Sequence, residues 1–382
     1  MAAVELKPVS GSHDLVAVAR RLGLEFAKRA GEFDESDTFV AGNYEALKGA
    51  GLVEAGVPKE LGGGGHEIDS LAAMLRELAH HCSSTALAFS MHTHQVAIPA
   101  WRWAHQKAPV EPLLKRVAAE RIILLSSGGS DWVAGSGKAE KVDGGFRITA
   151  RKVFSSGAPV GSLLMTSAVW DGDGDGPQVL HFGIPMNSPH VKIIPVWKTL
   201  GMRATGSHDV LIDGHVVPDA AIAVKRKAAE WHMVFQVTAM IAIPIIYSVY
   251  VGVAEAARDI ALELARKRRP DPHTTELIGR MDTELRGAQL AHASMLAAAR
   301  ANKPGPETTN EVMIGRTLTA RHAIAAVELA METAGGAGFY RAAGLERRFR
   351  DIQGARYHPM QSGTQATFAG TLALGLPTDR VF

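Results

Sequence analysis

The chain has 382 residues, enough for two or three domains with buried cores. Hydrophobic residues make up 46% and charged residues 21%, which excludes long disorder. Lys and Arg number 41 against 39 Asp and Glu, a net charge of +2, so no global charge draws the chain to nucleic acid or to an anionic membrane.

A single cysteine, Cys82, excludes an intramolecular disulfide and a cysteine-cluster metal site, and a reducing cytoplasmic location is expected. The opening stretch MAAVELKPVSGSHDL has no basic segment followed by an apolar core, so no secretory signal is expected.

From Leu15 to about Ala119 the pattern is helical. FDESDTFVAGNYEALKGAGL opens with acidic and hydroxyl residues, spaces Tyr44, Leu47 and Leu52 as a helix does, and ends at Gly49 and Gly51. EIDSLAAMLRELAHHC sets Ile68, Leu71, Leu75 and Leu78 on one face. Ser84 is predicted to cap a further apolar helix, STALAFSMHTHQVAIPAWRW.

From about Glu120 the texture changes. RIILLSSGG, GKAEKVDGGFRITARKVFSS, GSLLMTSAVWD, PQVLHFGIPM, HVKIIPVW and SHDVLIDGHVV are short β-branched runs separated by turn residues. They predict an antiparallel β domain the size of a small barrel or sandwich.

From about Lys225 helices return, predicted at 229–268, 272–300 and 308–334, with a Gly-rich turn over 334–338. Val234 to Ala254 carries no charge and is long enough to span a bilayer. However, Pro244 interrupts it, Gln236, Thr238, Tyr247, Ser248 and Tyr250 scatter polar groups around it, and it runs straight into the charged stretch EAARDIALELARKRR. It reads as a helix buried on all sides, not a membrane span. The predicted architecture is α+β: an N-terminal helical domain over 1–119, a middle antiparallel β domain over 120–225 and a C-terminal helical bundle over 226–382.

Metal chemistry finds no support in spacing. His80 and His81 are adjacent and diverge on a helix, and His92 and His94 are two apart where joint ligation wants three or four. The run Gly62–Gly65 lacks the Lys-Ser/Thr of a phosphate loop.

Six segments in this order resemble the acyl-CoA dehydrogenase superfamily of flavoproteins: GLVEAGVPKELGGGG (51–65), CSSTALAFSMH (82–92), SSGGSD (126–131), RKVFSSGAP (151–159), LGMRATGSHDVLIDGHVVPDAAI (200–222) and ETAGGAGFYRAAGLERRFRD (332–351). The resemblance covers nearly the whole chain and implies a cofactor, FAD or alternatively FMN. A flavin ring has apolar faces and a polar rim, which small hydroxyls reach without crowding. On that footing Ser126, Ser155 and Ser156 are candidates for the rim and Phe154 for packing against the ring. Ser130 would hydrogen-bond the pyrophosphate of FAD. Taken alone, these are ordinary turn and strand-edge serines. Arg266 or Arg268, at the basic end of a long helix, would contact the pyrophosphate of a neighbouring subunit, and Gly335 and Gly336 would let the backbone approach the adenosine part. Cations at a helix C-terminus and glycine after one have plain structural readings too.

Two activities compete. The dehydrogenases remove an α-proton of an acyl-CoA with a glutamate while hydride passes to flavin N5. That glutamate lies just before a Gly-Thr pair, and here Gly363-Thr364 follows Ser362. The alternative location, on the long helix MIAIPIIYSVYVG, has no carboxylate, and Glu255, Glu332 and Asp351 are the nearest acids in sequence. The superfamily's two-component flavin-dependent monooxygenases also resemble this chain: Arg350-Asp351 is followed by His358, FSSG supplies Ser156, and a third helix carries His92 and His94. A neutral histidine there can hold or take a proton.

The expectation is an acyl-CoA dehydrogenase-like flavoenzyme that oxidises an acyl-CoA-like substrate at a CH–CH bond. The alternative is a monooxygenase acting on a small organic compound with reduced flavin and oxygen, with His92, Ser156 and His358 as catalytic residues. A third reading is a non-catalytic flavin- or acyl-binding scaffold. The resemblance also implies a homotetramer or homodimer, and either an electron-transfer flavoprotein or a flavin reductase as redox partner.

Overall fold

The computed structural model describes residues 12–127, 129, 133–172, 174, 176–268 and 271–379, so the Ser130 expectation lies outside the described residues. Helices come first: α1 (Ser12–Glu35), α2 (Ala41–Gly49), α3 (Ile68–His81), α4 (Ser83–Gln106) and α5 (Glu111–Glu120). Strands follow: β1 (Leu124–Ser126), β2 (Lys138–Val142), β3 (Gly145–Ser155), β4 (Leu163–Trp170), β5 (Gln178–Pro185), β6 (Val191–Ile194), β7 (His208–Pro218) and β8 (Val224–Lys227). The chain closes with α6 (Met233–Arg266), α7 (Pro272–Arg300), α8 (Pro306–Ala334), the single turn α9 (Gly336–Phe339), α10 (Leu345–Ile352) and α11 (Ser362–Ala373).

The α3 stripe Leu71, Leu75 and Leu78 is buried, and the helix packs between α1 and α6. The stretch beginning FDES does not open the next helix as predicted: Phe33, Asp34 and Glu35 finish α1, and α2 starts only at Ala41. Ser84 is not a cap either. α3 and α4 are joined through one residue, so the cap position falls on Cys82, in an extended conformation. Ser84 Oγ instead accepts the Ala204 N–H at 3.3 Å.

The sheet runs β6-β7-β3-β2-β4-β5-β8, with β1 also pairing with β4. It is mixed, not purely antiparallel. β1 lies parallel to β4, with Leu124 opposite Leu163, and β2 is parallel to β4 at the Lys138–Val169 pair. β1 and β2 therefore occupy successive stretches of one edge of β4. The two strands run in the same direction, which the turn residues separating them do not reveal. β8, VKRK, has no apolar alternation to betray it, and it pairs with β5 from Gln178–Lys227 to His181–Val224.

α6 is the central element, packed by α3, α4, α7 and α8. Its most apolar 18-residue window is 94% buried inside the protein, as expected of a helix that is hydrophobic all round. The His292 Nε2 contacts the carbonyl of its internal Pro244 at 2.8 Å, from α7.

A clamp ties the β module to the helices. Asp351 on α10 accepts the Met202 N–H at 2.5 Å. Arg350 beside it donates to Leu200 O at 3.2 Å and pairs with Asp34 of α1 and Glu346. A Cβ on Gly201 would lie 2.2 Å from Arg350 O, so only glycine lets the two backbones meet.

Candidate functional site

The β side of the site is the FSSG turn. Pairing between β3 and β7 slips between Lys152–Val210 and Ser155–His208, a bulge that re-aims side chains. It puts Phe154 at φ 55°, a conformation that costs a non-glycine residue energy. The ring is 57% exposed and meets Trp197 edge-on, with centroids 6.0 Å apart. Trp197 is held by its Nε1–H on Met202 O at 3.0 Å. The sequence gives no pattern that singles it out, because its partner is 43 residues upstream in an unrelated turn.

Behind the turn runs a chain of hydroxyls. Thr205 donates to Met202 O at 3.0 Å, so Ser207 donates to Thr205 at 2.7 Å, and Ser156 donates to Ser207 at 2.8 Å. Each hydroxyl has one proton, so Ser156 Oγ is left as an acceptor. Ser155 Oγ is buried and has no partner. Ser126 ends β1 half-buried, and its neighbour Ser127 donates to Thr166 Oγ1 at 2.7 Å.

The helical side is α4, α6 and the turn after α10. His92 is tied up: Leu124 N–H donates to its Nδ1 at 3.0 Å, and its Nε2–H donates to Val53 O at 2.9 Å. Both ring nitrogens serve the backbone, and burial lowers its pKa to about 4. It pins α4 to β1. His94 differs. Its Nδ1 is buried without a partner, and burial, then the charges of His92 and His358, lower its pKa to about 3. His358 Nε2 meets Tyr250 Oη at 2.6 Å, and burial, then the Arg316 charge, lower its pKa to about 4. Both imidazoles are neutral at pH 7. Pro359, next in the chain, lies 4.0 Å from where a Cβ on Gly129 would sit, so this turn abuts the end of the β1 segment.

The carboxylates near in sequence are placed elsewhere. Asp351 is the Met202 clamp. Glu255 is bound by Arg76, His80 and Gln289. Burial pushes its carboxyl up, and hydrogen bonds from His80 and Arg76 outweigh that, holding it at about 2. Glu332 lines an acidic groove between α7 and α8 with Glu276, Glu284 and Glu328. Ser362 opens α11 at the surface.

Arg268, Gly335 and Gly336 come together at the end of α8. Arg268 donates to Thr333 O at 2.6 Å. Gly335, at φ 59° and ψ −151°, holds a conformation open only to glycine, and a Cβ there would lie 3.3 Å from Arg268 Nη1. Arg266 is exposed on the last turn of α6.

A flat ring with a polar rim suits the exposed Phe154 beside the half-buried Trp197 and the acceptor Ser156, and Ser155 Oγ and His94 Nδ1 are buried polar atoms without a partner.

Comparison with known proteins agrees. Residues 14–117 match the family model for the acyl-CoA dehydrogenase N-terminal domain, and residues 245–362 match that for an acyl-CoA dehydrogenase C-terminal domain. Amino sugar nitrososynthase DnmZ of Streptomyces peucetius is 26% identical over 370 residues, covering 90% of this chain and 88% of that protein. Dibenzothiophene monooxygenase of Rhodococcus erythropolis is 26% identical over 394 residues, covering 91% and 90%. A solved structure of KijD3, in complex with FMN and dTDP-3-amino-2,3,6-trideoxy-4-keto-3-methyl-D-glucose, superposes with a TM-score of 0.90 at 25% identity, covering 98% of this chain and 96% of that one.

Proposed function

The chain belongs to the acyl-CoA dehydrogenase superfamily of flavoproteins, and we propose that within it the protein is a flavin-dependent monooxygenase acting on a small organic substrate. This displaces oxidation of an acyl-CoA at a CH–CH bond, the reading expected first. The observation that carries the proposal is the exchange of groups at the site. A surface serine, Ser362, stands where the dehydrogenase base is expected, while the buried imidazole of His94 and the part-buried imidazole of His358 offer groups able to hold a proton. Nitrososynthase and monooxygenase relatives at 26% identity support the same reading.

Reduced flavin, FMN by likeness to the KijD3 complex or FAD as is usual for the superfamily, supplies the electrons that activate oxygen. The chain's own residues do the rest. Phe154 and Trp197 would offer an apolar face, and Ser156 Oγ, left as an acceptor, would take a hydrogen bond from the polar rim. Desolvation of His94 and His358 keeps both rings neutral, able to hold or pass a proton. His358 and Tyr250 form the proton-bearing pair. Arg268, Gly335 and Gly336 would flank the phosphate-bearing end. Arg266 would reach a neighbouring subunit's cofactor in a homotetramer or homodimer. A flavin reductase is the partner this reading requires.

Anaerobic titration of the flavin-loaded protein with a panel of acyl-CoAs tests the proposal. No bleaching of oxidised flavin is expected, and rapid bleaching by any acyl-CoA overturns it. Protein that takes up no flavin from solution would instead favour the scaffold reading.

A further inference from the structure

Arg316 sits in the middle of α8, and its side chain is among the largest in the protein to be wholly enclosed, at 2% exposure. Among the described residues no carboxylate pairs with it. A buried cation without an anion is costly unless fixed dipoles replace water around it. Here those dipoles are carbonyls of one turn. Arg316 Nη2 donates to Ala355 O at 3.1 Å, Arg356 O at 3.1 Å and His358 O at 2.7 Å. The guanidinium carbon also lies 5.3 Å from the centroid of the Tyr247 ring, a cation–π distance. Tyr247 in turn donates to Ala355 O at 2.7 Å.

The turn so gathered is the one that presents His358. Its groups come from every element around it: Tyr247 and Tyr250 from α6, Arg316 from α8, His94 from α4, and Asp351 of α10, whose charge reaches Tyr250. Only Arg316 among these carries a fixed positive charge.

We propose that Arg316 is a positioning residue for His358: its grip on three carbonyls of the 355–358 turn fixes the ring against Tyr250. The role assigned to His358 in turnover rests on the monooxygenase reading; the grip does not. The positive charge acts across a water-poor interior, where it opposes a second cation next to it. Reach also matters: all three bonds leave Nη2, and a lysine ammonium ends about one bond short of that atom on a flexible stem.

The experiment uses flavin-free, full-length protein with ring-labelled histidine. The His358 resonance is assigned by its loss in His358→Asn and followed against pH by NMR. Arg316→Met is expected to shift the His358 ring resonances and to move its acid dissociation midpoint upward, as the turn loosens and the neighbouring charge is removed. Arg316→Lys is expected to keep the midpoint low while the flavin-loaded enzyme loses roughly tenfold in kcat with little change in KM. An unchanged His358 titration in Arg316→Met overturns the proposal. If that variant does not fold, Arg316→Lys with wild-type kcat and ring chemical shifts overturns it. If the midpoint moves as expected but no substrate is oxygenated even by the unaltered protein, the monooxygenase reading fails and the inference about Arg316 stands.

Discussion

Tyr250 Oη and His358 Nε2 are 2.6 Å apart, although 108 residues separate them in the chain. Tyr250 is buried on the central helix, and desolvation pushes its phenol well above the ordinary range. His358 is held neutral beside it. A neutral phenol and a neutral imidazole share a hydrogen-bonded proton at short range, a pair able to pass it to a neighbouring acceptor.

Removing the imidazole partner of that proton should stop oxygenation without stopping flavin oxidation. His358→Gln is expected to lower kcat for product by about 10²–10⁴-fold, the usual loss on removing an acid–base group. Reduced flavin should still be consumed, with hydrogen peroxide as the product. Tyr250→Phe should lose less, about tenfold. Steady-state product and peroxide assays with supplied reduced flavin read both.

Ser207→Ala cuts the hydroxyl chain, freeing the Ser156 proton and removing its acceptor. Flavin affinity should fall by about tenfold, in line with roughly 0.5–1.5 kcal/mol for a neutral hydrogen bond. Phe154→Ala should weaken binding by a similar factor through lost aromatic area. Fluorescence quenching of free flavin on titration with protein measures each.

The Asp351–Met202 bond joins the helical part to the β module. Asp351→Ala should cost about 1.5–3 kcal/mol, as for a hydrogen bond to a charged group. Gly201→Ala should cost a comparable amount by overpacking against Arg350 O. Urea unfolding of the two variants, with the midpoint read at constant slope, tests this.

Acid should destabilise the fold earlier than its carboxylates alone require. His92, His94, His292 and His358 are lowered from 6.5 to about 4, about 3, about 4 and about 4, burial leading in each case. The unfolded chain binds these protons below pH 6.5 and the folded chain does not. Stability is therefore fully present above pH 6.5 and lost as pH falls toward 4. Between pH 6 and pH 5 these four rings should contribute roughly 3.5 protons taken up on unfolding, with His81, His208, His215 and His232, also lowered by burial, adding to the slope. A slope below two would contradict the assignment of these rings as buried and neutral.

Much of the fold is legible along the chain because helical periodicity is local. The segments predicted at 272–300 and 308–334 correspond to α7 (Pro272–Arg300) and α8 (Pro306–Ala334). What fails is non-local. The parallel pairing of β1 and β2 with β4 depends on where the chain returns, not on any residue's preference. Candidate residues are legible as types: both His92 and His94 lie on one apolar helix, yet only the fold shows that backbone groups occupy both nitrogens of His92 and leave His94 Nδ1 free. Tyr250 reads as a stray polar group in an apolar run, and Arg316 as one cation among many in α8, until the turn at 355–358 folds onto them.

Oxygen transfer is the central claim, and its most direct measurement uses isotopically heavy dioxygen. The protein is supplied with reduced FMN and a panel of small amines, thioethers and indoles, and product masses are recorded. One heavy oxygen atom in at least one product is predicted, with incorporation lost in His358→Gln. No incorporation from any compound, with bound flavin instead bleached by an acyl-CoA in the absence of oxygen, would contradict it.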